Sequence, residues 1–474
     1  MITVTEYSGR NIAVYGLGRS GLAAARALMA GGAKVFAWDD GAAARSKAAS
    51  LGINVVNLDE RDWSIFAALV LSPGIPFKYP EPHRMVRRAE QAGVPVIGDM
   101  ELFASALRDI PASDRPKIIG ITGTNGKSTT TSLIGHILAE AGLDVRIGGN
   151  IGTGVLELAP PEPKAVYVIE VSSYQLDLCQ NLHCDVSVLL NISPDHLSRH
   201  GGMSGYIEAK LKIFANQTAR DVAIVGIDDP VTQSIAMGNS RPGQAHVIPV
   251  SAEFGLAGGV SAVSGHLYDS TGVSAMKVGN LASAKALPGR HNFQNASAAY
   301  AACRALGVSA ARIMAGLQSF PGLAHRLERV DVIDDVVFIN DSKATNAQAT
   351  EQALRTWPRV HWIVGGVAKA EGIAPLDAYL ERVERAYLIG ESSQAFKKHL
   401  TGKVPLTECE TLDVAVRAAF SAARQSGEKD PIVLLSPACA SFDQFKDFEA
   451  RGDVFKNEVA NLTEKTDITP VAAL

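Results

Sequence analysis

Short apolar runs rich in β-branched residues alternate with longer alanine- and leucine-rich stretches along most of the chain, a pattern that predicts an α/β fold built on parallel sheets. The first block opens with the run Asn11–Tyr15, turns through glycines into an alanine-rich helix over 22–30, and returns as a strand over 34–38. Another apolar run, 69–71, stops at Ser72-Pro73-Gly74, and 109–117, with Ile-Pro-Ala-Ser-Asp-Arg-Pro, reads as a linker. The second block starts with a strand at 117–121, a second glycine turn and a helix over 129–141, followed by long apolar strands at 165–171 and 186–190. Residues 234–286, rich in Gly, Ala and Ser, predict β-ribbon and loops ahead of a helix over 292–306. The third block, after Pro321-Gly322, has strands at 336–339, 361–364, 386–389 and 432–435 with helices between, again doubly wound. Residues 463–474 read as a frayed tail. Three domains follow, with boundaries at 1–112, 113–322 and 323–474, and ligands are expected at the carboxyl ends of their strands.

Composition narrows the partners. With 47% hydrophobic and 20% charged residues over 474 positions the chain is globular, and a net charge of −4 gives no global field toward nucleic acid. Any anion must be held by local donors. Five cysteines, at 179, 184, 303, 409 and 439, form no C-x-x-C pair, which fits buried thiols in a reducing compartment. The opening residues carry no secretory pattern, and the least polar long stretch, 11–33, is interrupted by Arg19 and Arg26, so a cytoplasmic protein is expected.

The strongest local signal is Thr122-Gly123-Thr124-Asn125-Gly126-Lys127-Ser128-Thr129, between a strand and a helix. Its glycines let backbone N–H groups turn inward around phosphate oxygens, and the helix N-terminus adds a positive dipole end. Lys127 can reach the outer phosphates and the Ser128 hydroxyl can bind Mg²⁺. The usual phosphate loop has one more glycine, at the position held here by Ile121. Glu170 ends a buried strand, where a Mg²⁺ ligand belongs. Asp195 and His196, in Asn191-Ile-Ser-Pro-Asp-His, again lie just past a strand and suit a second cation, although a lone histidine is more often structural.

A second glycine motif, Gly16-x-Gly18-x-x-Gly21 with Asp39 downstream, fits a dinucleotide fingerprint. Read alone it admits an NAD-dependent dehydrogenase. It requires only that a diphosphate and a ribose-like diol be held.

The phosphate loop, Gly149-Asn150-Ile-Gly152, Glu170-Val-Ser172-Ser-Tyr-Gln175, Asn191-Ile-Ser-Pro-Asp-His196, Gly289-Arg-His291-Asn292 with Asn295, and Gly322-Leu-Ala-His-Arg326 together resemble the successive signatures of the Mur ligases, in order along nearly the whole chain. Folylpolyglutamate synthases share part of the pattern, and another amino-acid ligase of the family is the nearest alternative. Asn340-Asp341-Ser-Lys343-Ala-Thr345-Asn346, Ser436-Pro-Ala-Cys-Ala-Ser441-Phe442-Asp-Gln-Phe445 with Phe448 and Arg451, and the compact first block point within the family to D-glutamate as the amine.

The resemblance implies an N-terminal Rossmann-like domain for the UDP substrate, a central ATPase-like domain and a C-terminal Rossmann-like domain for the amino acid. It implies ATP as phosphoryl donor, two Mg²⁺ ions, and UDP-N-acetylmuramoyl-L-alanine and D-glutamate as substrates of a monomer without nucleic-acid or membrane partners. On it, Arg19, Ser20, Asp39, Asp40, Ser72, Pro73 and Gly74 hold uridine diphosphate, and Asn150, Ser172 and Gln175 line the muramyl side. ATP is held by residues 123–129, by His291, Asn292 and Asn295 near adenine, and by Arg326 and Asp341, with Lys343 catalytic. Mg²⁺ falls to Ser128, Glu170, His196 and a carbamylated Lys210, and D-glutamate to Thr345, Lys369, Ser441, Phe442 and Phe448. Phe445 reads as core. In Gly365-Gly-Val-Ala-Lys369 the family pattern would have an acidic residue before the lysine.

Overall fold

The computed structural model describes residues 1–238, 243–370 and 372–466. Its chain divides into two compact units, one of residues 1–281 with 293–319, the other of 282–292 with 320–474. The first unit contains two sheets. Strands β1 (Asn11–Tyr15), β2 (Lys34–Trp38), β3 (Phe66–Leu71) and β4 (Val96–Ile97) form a parallel sheet in the order β2-β1-β3-β4. Because β1 is flanked by β2 on one side and β3 on the other, the glycine turn after β1 opens at a topological switch point.

The second sheet is larger. It comprises β5 (Lys117–Thr122), β6 (Asp144–Gly149), β7 (Ala165–Glu170), β8 (Val186–Leu189), β9 (Val222–Gly226), β10 (His246–Ser251), β11 (Val260–Val263), β12 (His266–Asp269) and β13 (Met276–Asn280). The order is β13-β12-β11-β10-β9-β8-β5-β7-β6, parallel except for the antiparallel pairs β11–β12 and β12–β13. Every residue of β7 and β8 is buried, as their unbroken apolar runs demand of strands covered on both faces. Residues 234–286 do supply ribbon, as expected, and β10 also extends the parallel sheet beside β9, which the apolar pattern did not single out. Residues 239–242 of that stretch lie outside the described residues.

The second unit holds β14 (Glu328–Ile333), β15 (Val336–Asn340), β16 (Val360–Gly365), β17 (Val367–Ala368), β18 (Val383–Ile389), β19 (Leu406–Glu410), β20 (Ile432–Leu435) and β21 (Cys439–Ala440). Six of them form a sheet ordered β14-β15-β20-β16-β18-β19, while β17 pairs antiparallel with β21. The half-exposed β14 and β19 lack the long apolar run that marks a central strand. The last described element is the helix Phe448–Thr466, so 463–466 continue a helix instead of fraying; 467–474 lie outside the described residues. No helix among the described residues is long and apolar enough to cross a membrane.

The glycine turn after β1 shows why small residues are needed there. Gly16 sits at φ +88°, and a Cβ on Gly21 would collide with the Gly16 carbonyl oxygen, whereas one on Gly18 meets nothing within 4 Å. Gly21→Ala is therefore expected to cost about 1–3 kcal/mol of overpacking and to lower the thermal midpoint by several degrees, while Gly18→Ala leaves it unchanged; equal midpoints for the two variants would contradict the packing argument.

Candidate active site

The turn after β5 is built to face anions. Gly123 (φ +153°) and Gly126 (φ +82°) adopt backbone conformations that side chains disfavour, and Gly126 caps the helix Lys127–Glu140. A Cβ on Gly126 would strike Asn295 Oδ1, which places Asn295 against the loop. The loop is pinned to the segment after β8: Thr124 N donates to Asn191 O (2.9 Å), Asn125 N to Asn191 Oδ1 (2.8 Å), and Ser193 N to Thr124 Oγ1 (3.0 Å). Lys127 Nζ donates to the carbonyls of Gly123 (2.9 Å) and Thr124 (2.8 Å), and Ser128 is buried at the first turn of the helix. Thr129 follows it on the same turn.

Three further groups converge. Lys210, on the helix Met203–Leu211, is 1% exposed, and its Nζ also donates to Gly123 O (2.8 Å). Burial, and after it the Lys127 charge, hold this amine well below the ordinary lysine range, opposed in part by Asp195 and Glu170. Glu170, at the end of β7, accepts from Asn150 Nδ2 (2.8 Å) at Oε1, while its buried Oε2 has no hydrogen-bond partner. His196 takes a left-handed backbone conformation (φ 53°), and its ring lies 5.0 Å from that of Tyr174. Its Nε2 is 3.3 Å from Asp195 Oδ2. Burial lowers the imidazole pKa, Asp195 opposing and the Lys127 and Lys210 charges adding, which favours the neutral ring over the cation.

These groups fit Mg²⁺. The unpartnered Glu170 oxygen is a hard donor beside a phosphate loop. Among the described residues no cluster of three or more His, Cys, Asp or Glu could hold a metal alone. A sparse oxygen set suits an ion that keeps several waters and takes other ligands from phosphate.

The first glycine loop is closed by its neighbours. Asp39 accepts from Leu17 N (2.7 Å) and Gly41 N (2.7 Å), and Ser72 Oγ donates to Gly16 O (2.7 Å). Arg19 Nη1 donates to Gly152 O (2.7 Å), joining this loop to the Asn150 turn. Asp40 is engaged by Arg84 through both oxygens (2.5 and 3.0 Å), an ion pair that lowers its pKa to about 2. The carbonyls of Pro73 and Gly74 accept from Arg199. The buried Asp99 accepts from Met100 N (2.9 Å) and Gln175 Nε2 (3.0 Å), and Ser20 acts on its carboxyl only as a lesser electrostatic influence. Gln175 and Ser172 cap one another's backbone at the helix Ser173–Asp177, so the Gln175 amide is consumed within the fold.

In the second unit, Lys343 Nζ lies 3.7 Å from the Phe448 ring centroid, and its backbone N–H donates to His325 O (3.0 Å). Asp341 accepts from Ser436 Oγ (2.7 Å) and Leu327 N (3.2 Å), with the Arg326 charge acting on it. Thr345 N donates to Lys343 O (2.8 Å). The β17–β21 pairing sets Ala368 opposite Cys439, bringing the loop that carries Lys369 beside the one that carries Ser441. Ser441 is buried, Lys369 exposed, and Phe442 is 73% exposed. Phe445 packs against the core as expected. Asn292 Nδ2 donates to Pro288 O (2.7 Å), and His291 packs at Gly289; both belong to this unit, whereas Asn295 belongs to the first.

Sequence reading missed three contributors, Tyr206, Asp99 and Arg199, and gave Arg451 no role beyond its motif. Tyr206 lies under Lys210 Nζ (4.6 Å to the ring) and its hydroxyl meets Thr124 Oγ1 (3.1 Å). Asp99 and Arg199 act across distant segments. Buried Arg451 donates to Ser342 through Nε and Nη2 (2.9 and 2.8 Å). Only the aromatic ahead of Glu208-Ala-Lys210 was a local clue.

Residues 121–303 match the family model for the Mur ligase middle domain, and 325–439 match that for the Mur ligase, glutamate ligase domain. The chain is 54% identical over 464 residues to the UDP-N-acetylmuramoylalanine--D-glutamate ligase of Phenylobacterium zucineum (strain HLK1), covering 98% of this chain and 99% of the relative. It is 48% identical over 471 residues to the enzyme of that name from Nitrobacter winogradskyi, covering 99% and 100%. The fold is similar to that of the UDP-N-acetylmuramate-alanine ligase of Thermotoga maritima (TM-score 0.56, 16% identity, 96% and 99% covered). It is also similar to a second ligase from that organism, MurF, solved with ADP (TM-score 0.55, 18% identity, 86% and 98% covered).

Burial raises the Asp341 pKa to about 7, against weaker opposition from Ser436, Leu327 and the Arg326 and Arg451 charges. The folded state thus binds a proton that the unfolded chain releases near pH ~4. The stability this contributes is present below that pH and is lost as pH rises through about 7. Asp341→Asn is expected to flatten the fall in unfolding midpoint between pH ~4 and ~7; an unchanged slope would show that Asp341 is ionised throughout.

Proposed function

The chain belongs to the Mur ligase family, and we infer from this that it uses ATP to join D-glutamate to UDP-N-acetylmuramoyl-L-alanine, releasing ADP and phosphate, in peptidoglycan precursor synthesis. The dehydrogenase reading of Gly16-x-Gly-x-x-Gly falls away, because the same loop serves a nucleotide diphosphate in a ligase. The observation that carries the chemistry is the convergence of Lys127, Lys210 and Glu170 on the loop after β5.

A carboxylate is a poor electrophile. Its oxygen attacks the γ-phosphorus of ATP, the bond to the bridging oxygen of ADP breaks, and an acyl phosphate forms. The glutamate amine then attacks the acyl carbon and phosphate leaves. Little covalent work falls to the protein, which aligns the reactants and stabilises charge. Lys127 is placed to swing from the Gly123 and Thr124 carbonyls onto the γ-phosphate. Ser128 and Glu170 would hold one Mg²⁺, and His196 with Lys210 a second; bound there, the ions would neutralise phosphoryl charge.

Lys210 supports this role only as an anion. Its depressed basicity favours the neutral amine, whose nitrogen adds to carbon dioxide and loses a proton to give a carbamate, an oxygen ligand in place of a cation. Asn295, His291 and Asn292 serve the adenine side, Arg326, Asp341 and Lys343 the phosphates. Thr345, Lys369, Ser441, Phe442 and Phe448 serve D-glutamate. Asn150 and Ser172 line the muramyl seat, where Gln175 acts through its cap; Arg19, Ser20, Asp39, Asp40 and the Ser72-Pro73-Gly74 turn surround the diphosphate. Functional boundaries at 1–112, 113–322 and 323–474, a monomer and a cytoplasmic location complete the proposal.

ADP release is to be measured with UDP-N-acetylmuramoyl-L-alanine while the amine is varied among D-glutamate, L-glutamate, L-alanine and a diamino acid. Release that depends on D-glutamate alone is expected; release with another amine would reassign the substrate. Lys127→Ala is expected to reduce turnover by on the order of a thousandfold or more with the affinity for the nucleotide-sugar nearly unchanged, and a fully active variant would remove the loop from the chemistry.

A further inference from the structure

Arg199 has no part in the chemistry above, yet its side chain joins the two anion seats of the first unit. It lies in the short helix Leu197–His200, and its backbone N–H donates to His196 O (2.9 Å). The guanidinium reaches three consecutive carbonyls after β3: Gly74 O and Ile75 O at 2.9 Å each and Pro73 O at 3.4 Å. Its carbon lies 4.7 Å from the centroid of Tyr174, the ring against which His196 also packs. The remaining nitrogen, Nε, is buried without a hydrogen-bond partner. Every hydrogen bond of the side chain goes to a carbonyl, so among the described residues no carboxylate neutralises this cation.

The other end of the same turn is fixed to the first glycine loop. Ser72 N donates to Tyr15 O (3.0 Å) and Ser72 Oγ to Gly16 O (2.7 Å). A continuous path therefore runs from the Gly16 loop through Ser72 and residues 73–75 to Arg199, and from Arg199 to His196. Farther along, the Tyr79 ring packs on Gly201 so closely that a Cβ there would overlap it. A planar fork with several fixed donors can hold three carbonyls at once. An ammonium on a flexible stem has donors that are not fixed in one plane, and holds such a set with less precision. The carbonyl oxygens are partial negative charges beside a seat for a diphosphate, and a cation spanning them removes that repulsion.

We propose that Arg199 is the positioning residue that couples the nucleotide-diphosphate seat to His196, holding the turn 73–75 in register and supplying uncompensated positive charge to a diphosphate-linked sugar acid. This deepens, and rests on, the ligase reading.

The test uses the full-length protein with Arg199→Ala and Arg199→Lys. The affinity for UDP-N-acetylmuramoyl-L-alanine is measured by calorimetry, KM for that compound and for ATP by ADP release, and the unfolding midpoint by heating. Loss of charge-assisted bonds predicts nucleotide-sugar affinity weakened about 10- to 100-fold in Arg199→Ala, and a smaller loss in Arg199→Lys, which keeps the charge without the fork. KM for ATP is expected to change less than about twofold, since the guanidinium touches none of the residues given to ATP, while kcat falls as His196 loses its support, and added guanidinium to restore part of the loss in Arg199→Ala. Unchanged nucleotide-sugar affinity in both variants overturns the proposal. So do equal losses for ATP and nucleotide-sugar in a folded Arg199→Lys. A wild-type protein that binds the nucleotide-sugar in an Arg199-dependent way but releases no ADP with D-glutamate sinks the ligase reading and leaves the Arg199 coupling standing.

Discussion

Two lysine amines meet at one carbonyl oxygen. Lys127 Nζ and Lys210 Nζ both donate to Gly123 O, at 2.9 and 2.8 Å, and Lys210 is all but inaccessible to water. Like charges a few ångströms apart in such surroundings repel by an amount on the order of several kcal/mol. The arrangement persists only if one amine gives up its proton or an anion is brought in. Both routes are visible in the geometry: the Lys210 amine is held far below its ordinary range, and Glu170 presents an unpartnered oxygen to the same space. A loop with this imbalance is made to receive polyphosphate, and the rest of the first unit can be read as the means of keeping it so.

Strand order supplies the means. β5 lies between β7 and β8, so the loop after β5 is bracketed by the ends of both neighbours. From β7 comes Glu170, and from β8 the Asn191 segment that pins Thr124 and Asn125 and leads to His196. The helix Met203–Leu211 then returns Tyr206 to Thr124 and Lys210 to Gly123. The loop after β5, Glu170 and the 191–211 stretch are distant in sequence; parallel topology makes them neighbours, because every strand delivers its carboxyl end to one edge.

That distinction also explains what was legible beforehand. A strand, a glycine turn and a helix are local, so the two glycine loops and the central strands could be read from apolar runs and from residues such as Gly123, Gly126 and Lys127. Phe445 could be placed in the core for the same reason. Strands β14 and β19, half exposed at sheet edges, carry no strong apolar run and passed unseen. The helical turns at 463–466 were misread because a polar terminal stretch resembles a frayed end. Of the site, the residues whose job is to touch phosphate are legible by type and spacing. The residues that hold those residues in place are not. Asp99, Arg199, Tyr206 and Arg451 acquire meaning only from partners tens or hundreds of positions away.

Gln175 shows how far a motif can be carried before geometry must take over. By type and position it was expected to line the muramyl seat. Its side-chain oxygen serves Ser172, and its amide nitrogen serves Asp99, at the start of the helix Asp99–Arg108. A buried amide engaged at both ends has little left to give a substrate, and removing it would strand the Asp99 carboxyl, at a cost of about 1–3 kcal/mol. Asp99, Gln175 and Ser172 thus form a hydrogen-bonded link, with Ser172 two residues past Glu170. On this account the start of the helix Asp99–Arg108 and the end of β7 are tied together by the fold itself. Preorganisation of that kind is how a site that does little covalent chemistry can still align a sugar-borne carboxylate with a γ-phosphate.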